Sequence, residues 1–551
     1  MHGGRLYRRI ETAYGRLLRW SLAHRGVIVG VAVLCVVATV PLFKVVGKTF
    51  LPQDDQSEFE VSIRMPGGST LAETSRVFAE IETRLRGLGG VSHVLTTIGD
   101  QTGRVKGGEG DVTSGTIYLR LVDLGARDFS QFAVMAQARD ILKQFPDLRT
   151  SVEGINPLAS GGNRLAEVEF NLRGPDLGRL QEYGDRVMAG MRELPGLVDV
   201  DTTLAVRTPE MRLRVDREKA SDLGVNMRDI AATVQTYVAG QPISKYKEGD
   251  EQYDIWLRAE PGKRRTAQDL YDLAVPSGGG QLVRLGNLVR VSEALGPAQI
   301  DRVDRQRSLT MQANLLPTLP LATAVAHVNR VVAGLELSPL YNVHWTGRAK
   351  SLAESNANFG IAFGLSILFM YMVLAAQFES FLHPITIMLA LPLTVPFAIL
   401  SLVLLREALN IYSVLGLFML FGIVKKNGIL QIDYTNTLRA RGLARDAAIL
   451  EANRVRLRPI LMTTLMLILG MVPIALGQGP GSGSRSSLAR VIIGGQALSL
   501  VITLLITPVA YSLFDDLGQR WLPAWVAAVR ARLGRVGAPS VVEPSRAGET
   551  P

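Results

Sequence analysis

The chain places one long apolar run near its N-terminus and five more close together at its far end. Residues 26–46, GVIVGVAVLCVVATVPLFKVV, are almost free of polar positions. As a helix this stretch reaches about 30 Å, the thickness of a bilayer core. It is too long for the apolar centre of a signal peptide and has no A-x-A cleavage site behind it, so it predicts a membrane span. Five further spans are predicted at 358–377, 385–405, 411–433, 459–477 and 488–513. Between the first and second, residues 47–355 predict a large domain outside the bilayer.

In that domain the hydrophobic period alternates between strand and helix. FEVSIRM, from residue 59, predicts a strand, and Pro66-Gly67-Gly68 a turn. A capping box from Thr70 to Glu73 opens a helix whose Phe78, Ile81, Leu85 and Leu88 share one face. Gly89-Gly90 end it before the strand VSHVLTTI. GTIYLRLV (115–122), a helix over 129–144 and a strand near 149–153 repeat the plan. EVEFNLRGP (167–175) then starts it again, with Leu177, Leu180, Val187, Met191 and Leu194 on the apolar side of the next helix. RLRGLGGVSHV (84–94) and GMRELPGLVDV (190–200) superpose at an offset of 106 residues, which reads as an internal duplication. Repeated β-α-β units of this kind predict ferredoxin-like α+β subdomains. The stretch 207–295, with helices at 216–223 and 227–239 and strands at 253–258 and 282–285, predicts an inserted subdomain. Its run Ser277-Gly278-Gly279-Gly280 reads as a hairpin turn, because no G-x-x-x-x-G-K-[ST] phosphate loop occurs.

Composition narrows the class. A hydrophobic share of 47% and a mean hydropathy of +0.19 exclude a disordered chain. The single cysteine, Cys35, excludes a disulfide framework and a cysteine-based metal site, and the six histidines form no H-x-x-x-H pair. The net charge of +10 does not form one basic patch suited to nucleic acid. It marks topology instead, because short cytoplasmic connections carry the excess of Lys and Arg. Arg5, Arg8, Arg9, Arg16, Arg19 and Arg25 precede the first span; Arg439, Arg441, Arg445, Arg454, Arg456 and Arg458 fill the connection 434–458; Arg520, Arg530, Arg532 and Arg535 follow the last. An even span count places all three groups in the cytoplasm. No nucleophile–base set or metal cluster suggests an enzyme.

Several segments, in order, carry a family resemblance: LPQDDQSEFEVSIRMPGGSTL after the first span, TPEMRLRVDREKASDLGVNMRDI at 208–230, QIDRVDRQRSLTMQANL at 299–315, AAQFESFLHPITIMLALPL at 375–393, FGIVKKNGILQIDYTN at 421–436, and RVRLRPILMTTLMLILGMVPIALGQGPGSGSRSSLARVIIGG at 454–495. Together they resemble the resistance-nodulation-division (RND) exporters of the hydrophobe/amphiphile branch, the acriflavine-resistance type, and only their C-terminal half. The resemblance implies six transmembrane helices and a large α+β extracytoplasmic domain of ferredoxin-like porter subdomains with an inserted docking subdomain. Its implied boundaries are a basic cytoplasmic segment at 1–25, the first helix at 26–46, a porter subdomain at 47–155, a second at 156–206 and 296–355 around a docking subdomain at 207–295, a five-helix bundle at 356–515 and a cytoplasmic tail at 516–551, disordered at its end.

A charge lies inside the fourth span. Lys425 and Lys426 precede Asn427, and a lysine at that depth costs about 3 kcal/mol unless it is paired or hydrated. Consecutive helical residues diverge by about 100°, so only one of the two can face a given site. By the family pattern the functional lysine precedes Asn, which is Lys426; Asn427, Arg456 and Thr463 fall on its proton-relay positions. The alternative is that both lysines reach to the cytoplasmic headgroups as anchors. No Asp or Glu lies in the middle of any span, and Asp433 is two turns from Lys426. The reading therefore has Lys426 buried and dependent on an acid from another chain. In the family that acid is a pair of aspartates in the N-terminal half.

The resemblance further implies proton antiport with no cofactor besides the proton motive force, and a bacterial inner-membrane protein whose large domain is periplasmic. Its implied partners are the N-terminal half, a trimeric assembly, a periplasmic adaptor, an outer-membrane channel, membrane lipid and small amphiphilic substrates. The loop GDQTGRVKGGEGDV (99–112) carries none of the aromatics that line drug pockets in such exporters. A metal exporter would use methionines, and Met65, Met135, Met188, Met191, Met211, Met227 and Met311 are available, with Met188 and Met191 placed for core packing. A non-transporting, membrane-anchored scaffold is the other alternative. The loop Gly477–Gly483 is expected to be a mobile connector.

Overall fold

The computed structural model describes residues 5–99, 111–155, 166–203, 207–297 and 300–533. The phenylalanine-free loop expected at 99–112 therefore lies largely outside the described residues, as does the end of the tail from 534. The chain begins with two helices, α1 (Arg5–Ala23) and α2 (Arg25–Val45). The first is amphipathic; it packs on the bundle through buried Leu18 and through Tyr14, whose hydroxyl donates to the Leu504 carbonyl at 3.0 Å. The sequence reading of 1–25 as a basic segment missed this helix, because its apolar residues are diluted by arginines.

The first outer unit runs β1 (Glu58–Arg64), α3 (Leu71–Arg86), β2 (Val91–Ile98), β3 (Ser114–Leu121), α4 (Gln131–Leu142) and β4 (Arg149–Gly154). Its antiparallel sheet has the order β2-β3-β1-β4, the ferredoxin-like arrangement. Phe59, Phe78, Ile81, Leu85 and Leu119 fill the space between sheet and helices. Only half of the expected capping box forms: Thr70 accepts from the Glu73 amide at 3.3 Å, while the Glu73 carboxylate pairs with Arg76 at 2.7 Å. A cation one turn away outcompetes the cap amide for that carboxylate.

The second unit opens with β5 (Val168–Gly174), α5 (Leu177–Arg192) and β6 (Leu197–Thr202). The insertion follows as β7 (Arg207–Val215), α6 (Arg217–Asp222), α7 (Met227–Val238), β8 (Gln241–Glu248), β9 (Glu251–Leu257), α8 (Ala267–Tyr271), β10 (Ala274–Pro276), β11 (Leu282–Arg284) and β12 (Val289–Pro297). Unit two then resumes with β13 (Arg302–Val303), β14 (Gln306–Leu315), α9 (Leu321–Ala333) and β15 (Asn342–Trp345). β14 lies between β5 and β6, and β15 flanks β5, so the sheet repeats the first unit's order around the insertion. The duplication extends to detail. Asp176 caps α5 through the Arg179 amide as Thr70 caps α3, and Gly90 and Gly196 hold φ of 86° and 92° at matching turns. The insertion leaves and returns along the paired strands β7 and β12, and Ser277–Gly280 forms the hairpin turn between β10 and β11. Strand β8 was not foreseen; it pairs only with β9, and both are exposed along their whole length.

The remaining helices are α10 (Gly347–Phe378), α11 (Leu382–Met388), α12 (Ala390–Leu404), α13 (Ile411–Ala440), α14 (Arg445–Ala475) and α15 (Gly483–Leu533). With α2, and with α11 and α12 together as one span, they form six helices long and apolar enough to cross a membrane. The expected connection 434–458 is mostly helical, since α13 ends at Ala440 and α14 starts at Arg445. Apolar runs mark the depth of lipid contact, and helices continue past it into water.

Candidate functional site

Glycines set which face of α13 turns inward. On α15, a Cβ at Gly494 would sit 2.1 Å from Ser401 of α12, and one at Gly495 would sit 2.3 Å from Leu420 of α13. Their absence lets both helices close on α15, the small-residue packing that membrane helices use where no hydrophobic force drives association. The buried side of α13 is then Gly416, Leu417, Leu420, Val424, Asn427, Gly428 and Gln431. Asn410 fixes its start, accepting from the Tyr412 and Ser413 amides and donating to Ser487 of α15 at 3.2 Å.

Lys426 faces the other way. The exposed stripe of α13 reads Leu415, Met419, Gly422, Lys426 and Asp433, at helical spacing. Within this chain Asn427 turns inward, Lys425 is half-buried and Lys426 is exposed, so these six helices do not themselves bury Lys426. By helical rise Lys426 lies about 22 Å from either end of α13, which is the middle of a bilayer. Among the described residues, the bundle's inter-helix ion pairs sit at its ends. Arg25–Asp516 (2.7 Å), Arg439–Asp515 (2.8 Å) and Arg445–Asp516 join the cytoplasmic ends, and Arg490–Glu407 joins the outer ends. None reaches Lys425 or Lys426.

The other expected relay residues divide between two levels. α14 runs antiparallel to α13, and Arg456 meets Tyr434, its guanidinium 4.7 Å above the ring. That level is about 12 Å below Lys426 by helical rise. The Arg456 Nε is buried without a hydrogen-bond partner among the described residues. Thr463, seven residues further along α14, returns to the level of Lys426 and Asn427, where its hydroxyl donates to the Ile460 carbonyl at 3.1 Å. The structure thus groups Lys426, Asn427 and Thr463 by depth and leaves Arg456 nearer the cytoplasm.

A second polar cluster, which the sequence did not signal, joins the two outer units. Arg139 of α4 grips Asp199 of β6 through Nε and Nη2 at 3.1 and 2.9 Å. Asp199 also accepts from the Val152 amide on the edge of β4 and from Asn314. Its backbone is left-handed, with φ of 53°, a conformation that costs a non-glycine residue about 1 kcal/mol. Arg149 pairs with Asp201 nearby. Burial above all, with Asp199 adding, raises the Glu153 carboxyl against the pull of Ser151, Asn314 and Arg348. The apolar cores of the two units remain separate clusters, so their contact is polar. Met191 and Met311 are fully buried in unit two, Met188 packs on the same core, and Met65 and Met135 belong to unit one. The described residues contain no group of three or more His, Cys, Asp or Glu that could hold a metal ion.

The chain is 28% identical over 521 residues to multidrug resistance protein MdtC of Yersinia enterocolitica, covering 94% of this chain and 50% of the relative. MdtC of Yersinia pestis is 27% identical with the same coverage. The chain thus spans about half the length of the curated relatives it matches. Two crystal forms of a heavy metal efflux pump superpose with TM-scores of 0.81 and 0.82 at 23% and 22% identity, over 93% of this chain and 53% and 52% of the pump. These share the fold. Residues 2–515 match the sequence model of the AcrB/AcrD/AcrF family, and the chain belongs to that family of RND permeases.

Proposed function

We propose that the chain works as the C-terminal half of a proton-driven RND efflux transporter that exports small amphiphilic or hydrophobic compounds. The observation that carries this reading is the position of Lys426. An ammonium on an exposed stripe at mid-bilayer depth cannot be left to lipid at a cost of about 3 kcal/mol, so another polypeptide segment must cover that face and bring a carboxylate. In the transport cycle a proton binds that carboxylate and removes the counter-charge of Lys426. The helix arrangement that the pair favours then loses its advantage, and the bundle shifts. Asn427, on the inner side of α13, and Thr463 on α14 lie at the same depth as the lysine and form the inner polar part of the relay, and Arg456 acts nearer the cytoplasm. Trimeric assembly with a periplasmic adaptor and an outer-membrane channel is part of the proposal. The exposed β8–β9 hairpin, with Tyr246, Tyr253 and Trp256 in water, supports contact with such neighbours, because an isolated two-stranded hairpin is marginal alone.

The test is co-expression with an N-terminal half bearing intramembrane aspartates, in cells lacking other exporters. Energised cells carrying both halves should keep an amphiphilic dye out, and cells carrying this chain alone should not. Lys426→Ala in the pair should bring accumulation back to the level of the single half. Equal export by the alanine variant would refute the relay.

A further inference from the structure

Residues 47–57 run as a strap over the outer end of the bundle and touch both outer units and the bundle. At its start, Gly47 accepts from the Leu409 amide at 2.7 Å and the Thr49 amide donates to the Leu409 carbonyl at 3.0 Å, which fastens the strap to the turn between α12 and α13. The Lys48 carbonyl accepts from Ala322 at the head of α9, in outer unit two. Three consecutive side chains then go to three different bodies. Gln53 donates to Glu167 at 2.9 Å and to the Leu315 carbonyl at 3.0 Å, both in unit two. Asp54 accepts from the Gly483 amide at 2.9 Å, at the first turn of α15. Asp55 accepts from Arg127 at 2.5 Å and from the Gln131 amide at 2.8 Å, both in unit one.

The fit is close on both sides of Asp54. A Cβ at Gly483 would sit 2.9 Å from its carboxylate, so the glycine lets the carboxylate lie this close to the first turn of α15. The loop before it is not a free connector, contrary to the sequence reading. The Gly481 amide donates to the Asp55 carbonyl, and Gly477, Gly479 and Gly481 take φ of 61°, 91° and 72° to bring the chain onto the strap. On the far side the Arg127 side chain is fully buried, and besides Asp55 and the Val122 and Phe129 carbonyls it donates to Ser57, held at φ of 57° where the strap turns into β1. A left-handed serine persists only where its surroundings over-determine it.

We propose that this strap is the coupling joint of the molecule, with Asp54 and Asp55 as positioning residues that make outer unit one follow the first turn of α15. Their α-carbons are about 3.8 Å apart, as in any trans peptide, so the two clamps cannot separate without one letting go. Displacement of α15 in the membrane therefore reaches the outer domain through two adjacent carboxylates. Gln53 meanwhile holds unit two to the same point, so both outer units and the bundle meet at the strap. That the joint serves a transport cycle rests on the function proposed above; that it is a rigid joint does not.

Double electron–electron resonance on the full chain in nanodiscs tests the joint without any transport. With Cys35→Ser as background, spin labels at Ser75→Cys on α3 and Leu476→Cys at the outer end of α14 report unit one against the bundle. The parent should give one narrow distance distribution. Asp54→Ala and Asp55→Ala should each broaden it about twofold, as release of either clamp frees the joint. Asp54→Asn keeps an acceptor for the Gly483 amide and should restore the narrow distribution, which a folding defect would not do. An unchanged width in both alanine variants, or no rescue by asparagine, overturns the joint. Either result leaves the role of Lys426 untouched, since no second half is present.

Discussion

Replacing Asp199 with alanine should open the contact between the two outer units without unfolding either. In the structure this carboxylate serves Arg139, the Val152 amide and Asn314 together. The pair is well buried, with side-chain exposures of 13% for Arg139 and 9% for Asp199. Removing one partner of such a pair strands the other's charge and costs about 3–5 kcal/mol. Arg139 keeps a bond to the Val152 carbonyl at 2.6 Å, which places the expected loss near the lower end. About 3 kcal/mol corresponds to a shift of roughly a hundredfold in the ratio of open to closed contact. Asp199→Asn keeps an acceptor and tolerates the left-handed backbone, so it should lose only the charge-assisted part, about 1–2 kcal/mol. The assay is hydrogen–deuterium exchange on the detergent-solubilised chain. Peptides covering β4 should exchange at least about tenfold faster in Asp199→Ala, because the outward Val152 amide loses its acceptor and its cover. Peptides from β1 and β3, whose partners lie within unit one, should not change. If β4 were as protected in the variant as in the parent, Asp199 would not hold the units together.

Three other outcomes follow from the same geometry. Burial raises the Glu153 carboxyl from its ordinary 4.5, so the folded contact prefers the protonated form. Its contribution is therefore complete below the ordinary value and is lost as pH rises through the raised one. Glu153→Gln should flatten the pH dependence of β4 exchange and slow that exchange at neutral pH; a steeper dependence would contradict this. Gly494→Ala puts a Cβ 2.1 Å from the Ser401 Cβ, and overpacking of this kind costs about 3 kcal/mol. The variant should melt earlier in detergent, and Ser401→Gly on the same chain should recover most of the loss. Lys426→Ala in the chain alone should change its melting by no more than about 0.5 kcal/mol, as expected for an exposed position away from any partner. A large destabilisation would mean that the lysine already has a partner within these helices.

Much of the architecture was legible in the residue pattern, for a physical reason. Span positions follow from apolar length, and the paired outer units follow from strand and helix periods punctuated by glycine. The turns at Gly90 and Gly196 fell where the duplication put them. What escaped depends on contacts between distant segments. Periodicity shows that Lys426 and Asn427 point apart, but it cannot say which points inward. That is decided by Gly495, on a helix some seventy residues on, where close packing against Leu420 selects the inner face of α13. Strand β8 escaped because its residues make no apolar alternation against a core. The LPQDDQ segment was legible as a family signature and carried no visible task, since its Gln53, Asp54 and Asp55 each reach a different element. The glycine-rich loop looked like a connector by composition, and only the amides of Gly481 and Gly483 reveal that it is tied down.

The central claim is that the counter-charge of Lys426 comes from outside this chain, and zero-length cross-linking tests it most directly. Carbodiimide joins an amine only to a carboxylate in contact with it. With the chain co-purified with an N-terminal half, peptide mapping should find Lys426 amide-linked to an aspartate or glutamate in a membrane segment of that half, and the link should vanish in Lys426→Arg. A link from Lys426 to Asp433 or another acid of this chain, or a stable complex with Lys426 unlinked, would contradict the account.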